Sequence, residues 1–210
     1  MHIHPAHRTV GVSGVRSSFR PAERESADDV AAASLHISLV SRWANDQDHA
    51  AMAAFEQVLL ARGNVHCERL EWAAVAEEGL GDADCAVVFG GGLQIIGRCS
   101  AFDADAATEM SAEEDDGFET EIEIPAAIRW HPVVDGVGPF IARYRPPYLT
   151  HLRADATDLL VRKWAGEVFP VAWARQSDGR AFCTLLGHPE DFQQREFVRL
   201  LLNAIEWVRQ

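Results

Sequence analysis

The stretch from Phe169 to Trp207 restricts the fold more than any other part of the chain. An alternating apolar run is followed by an Asp-Gly pair, a second short apolar run and a long amphipathic segment. This order predicts a strand, a hairpin turn, a second strand, a loop and a helix. The helix should bury one stripe of apolar residues that recur at helical spacing. The members of this stripe are Phe197, Leu200, Leu201, Ala204, Ile205 and Val208.

His188 and Glu190 lie in the loop between the second of these strands and the helix. In open α/β sheets, ligands bind where strands end at their carboxyl edge, so this loop is the first candidate site. Pro189 and the acidic residues after it are typical of the first turn of a helix. An alternative is that His188 only caps the helix or packs against the strand ends, and the sequence leaves both interpretations open.

Length and composition indicate a globular chain with one sizeable core. The chain has 210 residues, of which 48% are hydrophobic. We expect an α/β domain over residues 35–210, preceded by a mobile extension over residues 1–34. The net charge of −13 argues against binding to nucleic acid or to anionic membranes. No apolar run approaches the roughly 18 residues of a membrane span, and no secretory signal is visible. Cys85 and Cys183 lie in apolar runs, which indicates buried thiols and a cytoplasmic location.

The N-terminal half alternates strand-like and helix-like segments. Predicted strands at Leu35–Val40, Val65–Leu70 and Cys85–Phe89 are separated by predicted helices at Ala50–Ala61 and Trp72–Glu78. This β-α-β-α-β pattern is typical of a parallel sheet with right-handed crossovers.

The pattern breaks after the third strand. Three glycines, at 90–92, lead directly into a further apolar run at Leu93–Ile96, with no crossover helix between them. The two runs are therefore one bent strand, a hairpin, or strands whose connecting segment is absent from this chain. The acidic tract at 103–123 predicts a solvated, poorly ordered insertion without an EF-hand pattern, ending in an edge strand at Glu121–Ile124.

A second candidate site is the polar loop that follows the first predicted strand. Asp46, Asp48 and His49 offer carboxylate and imidazole groups, which suit hydrogen bonding to sugar hydroxyls or acid–base work. They would lie near His188 if the first and last strands were central in the sheet. The alternative is a solvated loop that caps the next helix. Further along the chain, Arg143 and Tyr148 would add guanidinium and aromatic surface to this pocket. Packing at the protein surface explains these two residues equally well.

The N-terminal histidines His2, His4 and His7 invite a metal hypothesis. A metal site needs ligands held by a supporting shell, which an untethered segment does not supply. We therefore assign no metal site to these histidines and name no cofactor, and whether a metal assists the protein is left open.

Several motifs resemble the C-terminal half of the ThuA-like, or trehalose-utilisation, family. They are HPVVDGVGPF at 131–140, PVAWAR at 170–175, GRAFCTLLGHPEDF at 179–192 and LLLNAIEW at 200–207, and the similarity extends over 118–208. The family is similar in fold to class I glutamine amidotransferases. The resemblance implies a flavodoxin-like three-layer α/β sandwich with a mainly parallel sheet, here shortened in the middle, and a setting in sugar metabolism.

The resemblance to amidotransferases also implies a thiol-dependent triad. Such enzymes use a Cys at a sharp strand-to-helix turn, together with a His and a Glu two residues apart. The matching positions are Cys99, His188 and Glu190, although Ala101 stands where a Gly is usual. Cys99 is otherwise an incidental thiol at a strand end.

We expect a domain that binds or acts on a small carbohydrate at the carboxyl edge of the sheet. Two alternatives remain open: a catalytically empty binding or assembly module, and Cys-dependent glutamine chemistry. Whether the chain is an enzyme, and whether it forms a homo-oligomer, are left open.

Overall fold

Nine strands and three helices are seen in the computed structural model, which describes residues 34–42, 45–90, 92–98, 118–144, 154–177 and 179–210. The strands are β1 (Leu35–Ser41), β2 (Val65–Glu71), β3 (Cys85–Phe89), β4 (Leu93–Gly97), β5 (Phe118–Glu123), β6 (Phe140–Tyr144), β7 (Thr157–Trp164), β8 (Glu167–Arg175) and β9 (Ala181–Thr184). The helices are α1 (Asp46–Leu60), α2 (Trp72–Glu78) and α3 (Arg195–Val208).

The described strands form a single mixed sheet in the order β2-β1-β3-β4-β9-β8-β7-β5-β6. Strand β1 pairs in parallel with β2 and with β3. The other six neighbouring pairs are antiparallel. The predicted mainly parallel, flavodoxin-like sandwich is therefore wrong, because the parallel part of the sheet ends after its first three strands.

A glycine turn causes this change of direction. Phe89 at the end of β3 faces Leu93 at the start of β4, so the hairpin is the correct one of the three alternatives. Gly92 has a φ of 150°, and a Cβ atom on it would lie 2.4 Å from the carbonyl oxygen of Thr184. Only glycine fits there, and a tight turn of this kind reverses the chain where a crossover helix would preserve its direction.

A second tight turn joins β7 to β8. Ala165 and Gly166 both have positive φ, at 52° and 84°. Two such residues between antiparallel strands make the turn whose twist matches that of the strands. This connection also adds an antiparallel pair rather than a crossover.

Helices cover both faces of the sheet. Helices α1 and α3 pack on one face, where their apolar residues join those of the central strands in the main core. Helix α2 packs on the other face, where Val75 and Trp72 meet Val40 and Val88. A row of phenylalanine rings runs through the main core, with centroids 5.5 to 6.1 Å apart: Phe55, Phe192, Phe197 and Phe140.

Most predicted strand and helix positions agree with the structure. Helix α1 starts at Asp46 rather than at Ala50, because Asn45 caps it with its side chain. The segment after β9 opens as a 3-10 turn at Pro189–Gln193, and α3 follows it with the predicted apolar stripe buried. Strand β5 is not an edge strand, since it lies between β7 and β6.

Some predictions fall on residues that the structure does not describe. They are the mobile extension over residues 1–34, apart from its last residue, and the acidic insertion before Phe118. Among the helices in the described ranges, none combines the length and apolarity needed to cross a membrane.

We predict that Gly92→Ala destabilises the protein far more than Gly63→Ala. Both glycines have positive φ, but a Cβ atom at Gly63 would have nothing within 4 Å. Gly63→Ala should cost about 1–2 kcal/mol for backbone strain alone. Gly92→Ala adds a backbone clash and should cost about 2–5 kcal/mol in total. Urea denaturation of both variants measures the difference, and equal costs would contradict the tight contact at Gly92.

We also predict an acid-sensitive contribution from His131. This residue is 2% exposed, its Nδ1 accepts a hydrogen bond from the Val133 N–H at 3.3 Å, and its ring centroid lies 5.1 Å from that of Trp207. Burial, and then the charge of Arg180, lower the pKa of His131 below 6.5. The unfolded chain therefore binds the proton more tightly, and stability is lost as the pH falls below about 6.5.

His131→Asn keeps an acceptor at this position and removes the titration. The free energy of unfolding should fall less between about pH 7 and pH 5 in this variant than in the unmodified protein. Parallel curves for the two proteins would show that His131 is not buried in its neutral form.

Candidate functional site

His188 lies just beyond the end of β9, at the start of the 3-10 turn. Its Nδ1 accepts a hydrogen bond from the Glu190 N–H at 3.2 Å, so the predicted capping role is present. Because Nδ1 is the acceptor, the neutral ring carries its proton on Nε2. His188 therefore presents a hydrogen-bond donor at Nε2, in an orientation that its own cap fixes.

The carboxylate of Asp191 organises the backbone around His188. Its Oδ2 accepts from the N–H groups of Gly187 at 3.1 Å and His188 at 3.0 Å, and its Oδ1 accepts from the Arg143 N–H at 2.8 Å. Asp191 is 2% exposed. Burial raises the pKa of Asp191, while its hydrogen bonds from the backbone N–H groups of Arg143, Gly187 and His188 oppose that rise.

Sequence reasoning did not single out Asp191 as part of the site. His188 followed by an acidic residue at the third position of the turn is the spacing of a capping box, which is a readable pattern. The sequence does not show that the same carboxylate also holds Arg143, which is 48 residues away along the chain.

Arg143 and Glu190 form an ion pair at the turn that His188 opens. The Arg143 Nε atom lies 2.7 Å from Oε2 of Glu190. This Nε atom makes no hydrogen bond, so the contact is an ion pair whose N–H does not point at the carboxylate. The Glu190 side chain is 58% exposed, and such pairs contribute about 1 kcal/mol or less. The pair thus orients the guanidinium more than it stabilises the fold.

The first turn of α1 holds the second candidate group. Oδ1 of Asn45 accepts from the Asp48 N–H at 2.7 Å, and its Nδ2 donates to Oδ2 of Asp48 at 2.8 Å. Asp46 and His49 are exposed, whereas Asp48 is 9% exposed. These residues were predicted in a loop and instead begin the helix. Asn45 caps this helix, which agrees with the alternative that the segment serves as a helix cap.

The ends of β1, β3 and β9 lie at the same edge of the sheet. Leu93 on β4 pairs with Phe89 at the end of β3 and with Thr184 at the end of β9. Since β4 is antiparallel to both, β9 points in the same direction as β1 and β3 without pairing with either. His188 and the start of α1 consequently emerge at one edge, even though the sheet is not mainly parallel.

Aromatic packing brings α1 against the turn that follows His188. The rings of Phe55 and Phe192 have centroids 5.5 Å apart. Asp48 lies two helical turns before Phe55, on the buried face of α1. This packing places the first turn of α1, with Asp48, on the side of the sheet edge that carries His188.

Cys99 and Tyr148 lie outside the described residues. The last residues described before Cys99 are at the far edge of the sheet, where Gly97 pairs with Cys85 and Arg98 Nε donates to the carbonyl of Ala83. The structure therefore brings together Arg143, His188 and Glu190 of the predicted site residues, and the thiol triad stays a prediction.

We predict that Asp191→Asn loosens the whole site. An amide offers one acceptor oxygen, so at least one of the N–H groups of Arg143, Gly187 and His188 would face a donor. We expect a loss of about 1–3 kcal/mol of stability. Faster amide exchange at Gly187 and Arg143 should accompany it, and exchange measured by NMR is the check. Glu206→Gln, on an exposed side chain of α3, is the control. Unchanged exchange at both amides would refute this role of Asp191.

Comparisons with known proteins agree with the motifs in the C-terminal half. A solved structure described as a ThuA-like protein from Bacteroides uniformis superposes with a TM-score of 0.55 at 12% sequence identity, covering 93% of this chain and 95% of that one. At this identity the similarity concerns the fold alone. No curated protein matches the sequence. The ThuA family model, described as trehalose utilisation, matches residues 96–208, which is more than half of the 210 residues. The chain therefore belongs to the ThuA family.

Proposed function

We propose that the protein binds a neutral mono- or disaccharide at the edge formed by His188, Arg143, Glu190 and the first turn of α1. The family description, trehalose utilisation, supports a sugar ligand. The observation that carries the proposal is the fixed orientation of His188. Its Nδ1 is held by the Glu190 N–H, and Nε2–H therefore serves as a preset donor for a sugar hydroxyl.

The same hydrogen bond favours binding over base catalysis. A general base must accept a proton, and the Nε2 atom of the neutral tautomer already carries one. His188 is therefore suited to recognition of a hydroxyl oxygen rather than to its deprotonation. The tautomer of His188 therefore supports the alternative of a binding module, in which His188 performs no acid–base chemistry.

The charges around the site favour an uncharged ligand. Asp48, Glu190 and Asp191 are carboxylates, and Arg143 is already paired with Glu190. The edge is therefore net negative, as is the chain, at −13. A phosphorylated or oxidised sugar acid would be repelled, whereas a neutral sugar finds carboxylate acceptors and the imidazole donor together.

We place this activity in the cytoplasm. Cys67 and Cys85 are free thiols, and Cys85 is buried. Burial raises the pKa of Cys85 to about 12, so this thiol stays protonated and unreactive. Free thiols persist in reducing compartments.

Calorimetric titration tests the proposal. The full chain is titrated with trehalose, sucrose and maltose, and with trehalose 6-phosphate and the corresponding sugar acids. At least one neutral disaccharide should bind, and its charged derivatives should bind more weakly. His188→Asn retains an acceptor for the cap and removes the Nε2–H donor, so affinity should fall about 10-fold, the equivalent of one hydrogen bond.

Arg62→Gln is the matched control, because Arg62 is exposed at the opposite end of α1. This variant should bind the sugar with unchanged affinity. Three outcomes contradict the proposal: no heat with any neutral sugar, tighter binding of a charged derivative, or an unchanged affinity in His188→Asn. The first of these would leave an assembly module as the better account.

A further inference from the structure

Two histidines and a glutamate share one face of the sheet at the start of β1 and β2. His36 is directly opposite His66, and Ser38 is directly opposite Glu68. Directly opposed residues project to the same face, and so do residues two apart on one strand. His36, Ser38, His66 and Glu68 therefore project together from the face that also carries Val40 and α2.

The three candidate ligands are close together. The imidazole centroids of His36 and His66 are 4.8 Å apart, and His36 Nε2 lies 3.4 Å from Oε1 of Glu68. The Nε2 atom of His36 is buried and has no hydrogen-bond partner among the described residues. A buried polar nitrogen that makes no hydrogen bond is costly even beside a carboxylate, and a bound ion is one way to satisfy it.

We propose that His36, His66 and Glu68 bind a Zn²⁺ ion. Two imidazoles and one carboxylate form a donor set that zinc uses, leaving the fourth position for water. Zinc bonds of about 2.0–2.1 Å in tetrahedral geometry put neighbouring ligand atoms roughly 3.3 Å apart. The distance of 3.4 Å between His36 Nε2 and Glu68 Oε1 matches this separation between two zinc ligands.

His66 is the ligand that has to move. Within the described ranges, no group of three His, Cys, Asp or Glu side chains is already arranged around a metal position. His66 is exposed, so its ring turns onto the ion without disturbing the core. His36 and Glu68 are already in place, since the Ser38 Oγ donates to Oε1 of Glu68 at 2.7 Å and fixes the carboxylate.

The site would clamp the end of the sheet. Among the described strands, β2 is the terminal one in the sheet order and pairs only with β1. An ion held by ligands from both strands ties this terminal strand to its neighbour. An ion that binds the folded protein but not the unfolded chain also raises the thermal stability of the protein.

The test uses the full chain stripped of metal with a chelator. Because His2, His4 and His7 also offer imidazoles, they are first replaced by Gln, and this triple variant is the parent for comparison. Titration with Zn²⁺ should give one tight equivalent and a higher Tm. Titration with Co²⁺ should give the intense visible absorption of a four-coordinate ion.

Substitutions in the parent assign the ligands. His66→Gln and Glu68→Gln should each weaken Zn²⁺ binding by about 100-fold or more, since loss of a direct ligand exceeds the 10- to 100-fold effect of an outer partner. Ser38→Ala should weaken it by about 10-fold. Circular dichroism checks that each variant is folded, and His66, being exposed, tolerates replacement.

Three results would overturn the proposal. They are loss of the tight equivalent in the triple variant, unchanged affinity in both His66→Gln and Glu68→Gln, and a weak Co²⁺ spectrum of an octahedral ion. The first two results would place the tightly bound ion on other groups, and the third would exclude the proposed four-coordinate geometry. Sugar binding is measured separately, so its failure is independent of this result.

Discussion

The carboxylate of Asp191 is the interaction on which the arrangement of the site depends. Burying an ionised group is costly unless hydrogen bonds compensate for the lost hydration. Three backbone N–H groups provide that compensation, two from the loop before the 3-10 turn and one from Arg143 on β6. Strand β6 is the last in the sheet order, whereas β9 is central. The contact is therefore made by the turn that follows β9 and not by β9 itself, and on the same side Phe140 of β6 packs against Phe197 of α3.

The glycine turn between β3 and β4 changes the class of the sheet without moving the site to another edge. One reversal places β4 antiparallel to β3, and a second places β9 antiparallel to β4. Two reversals restore the original direction. The carboxyl ends of β1, β3 and β9 thus share an edge as they would in a parallel sheet. Strand ends stay at the same edge of the sheet when the chain direction reverses an even number of times between them.

The structural role of His188 and its proposed role in binding depend on the same hydrogen bond. Capping by Nδ1 secures the start of the 3-10 turn and at the same time sets which nitrogen carries the proton. The proposed sugar edge and the proposed zinc site lie at opposite ends of β1, between His36 and Ser41. At a rise of about 3.3 Å per residue, the two ends are roughly 16 Å apart, too far for one ligand to contact both. The two sites can therefore be altered independently.

The sequence by itself determined the local elements. Period-2 and period-3.6 apolar patterns located most strands and the buried stripe of α3, because those patterns report which side of each element faces the core. The His188–Asp191 spacing also carried a readable cap. The sequence did not determine strand order, because a run such as Leu93–Gly97 is equally apolar in a parallel or an antiparallel neighbour. Only the tertiary structure decided that the turn at Gly92 reverses the chain, and that Arg143 meets Asp191 across 48 residues. Such contacts depend on how distant elements pack, and no local pattern records that packing.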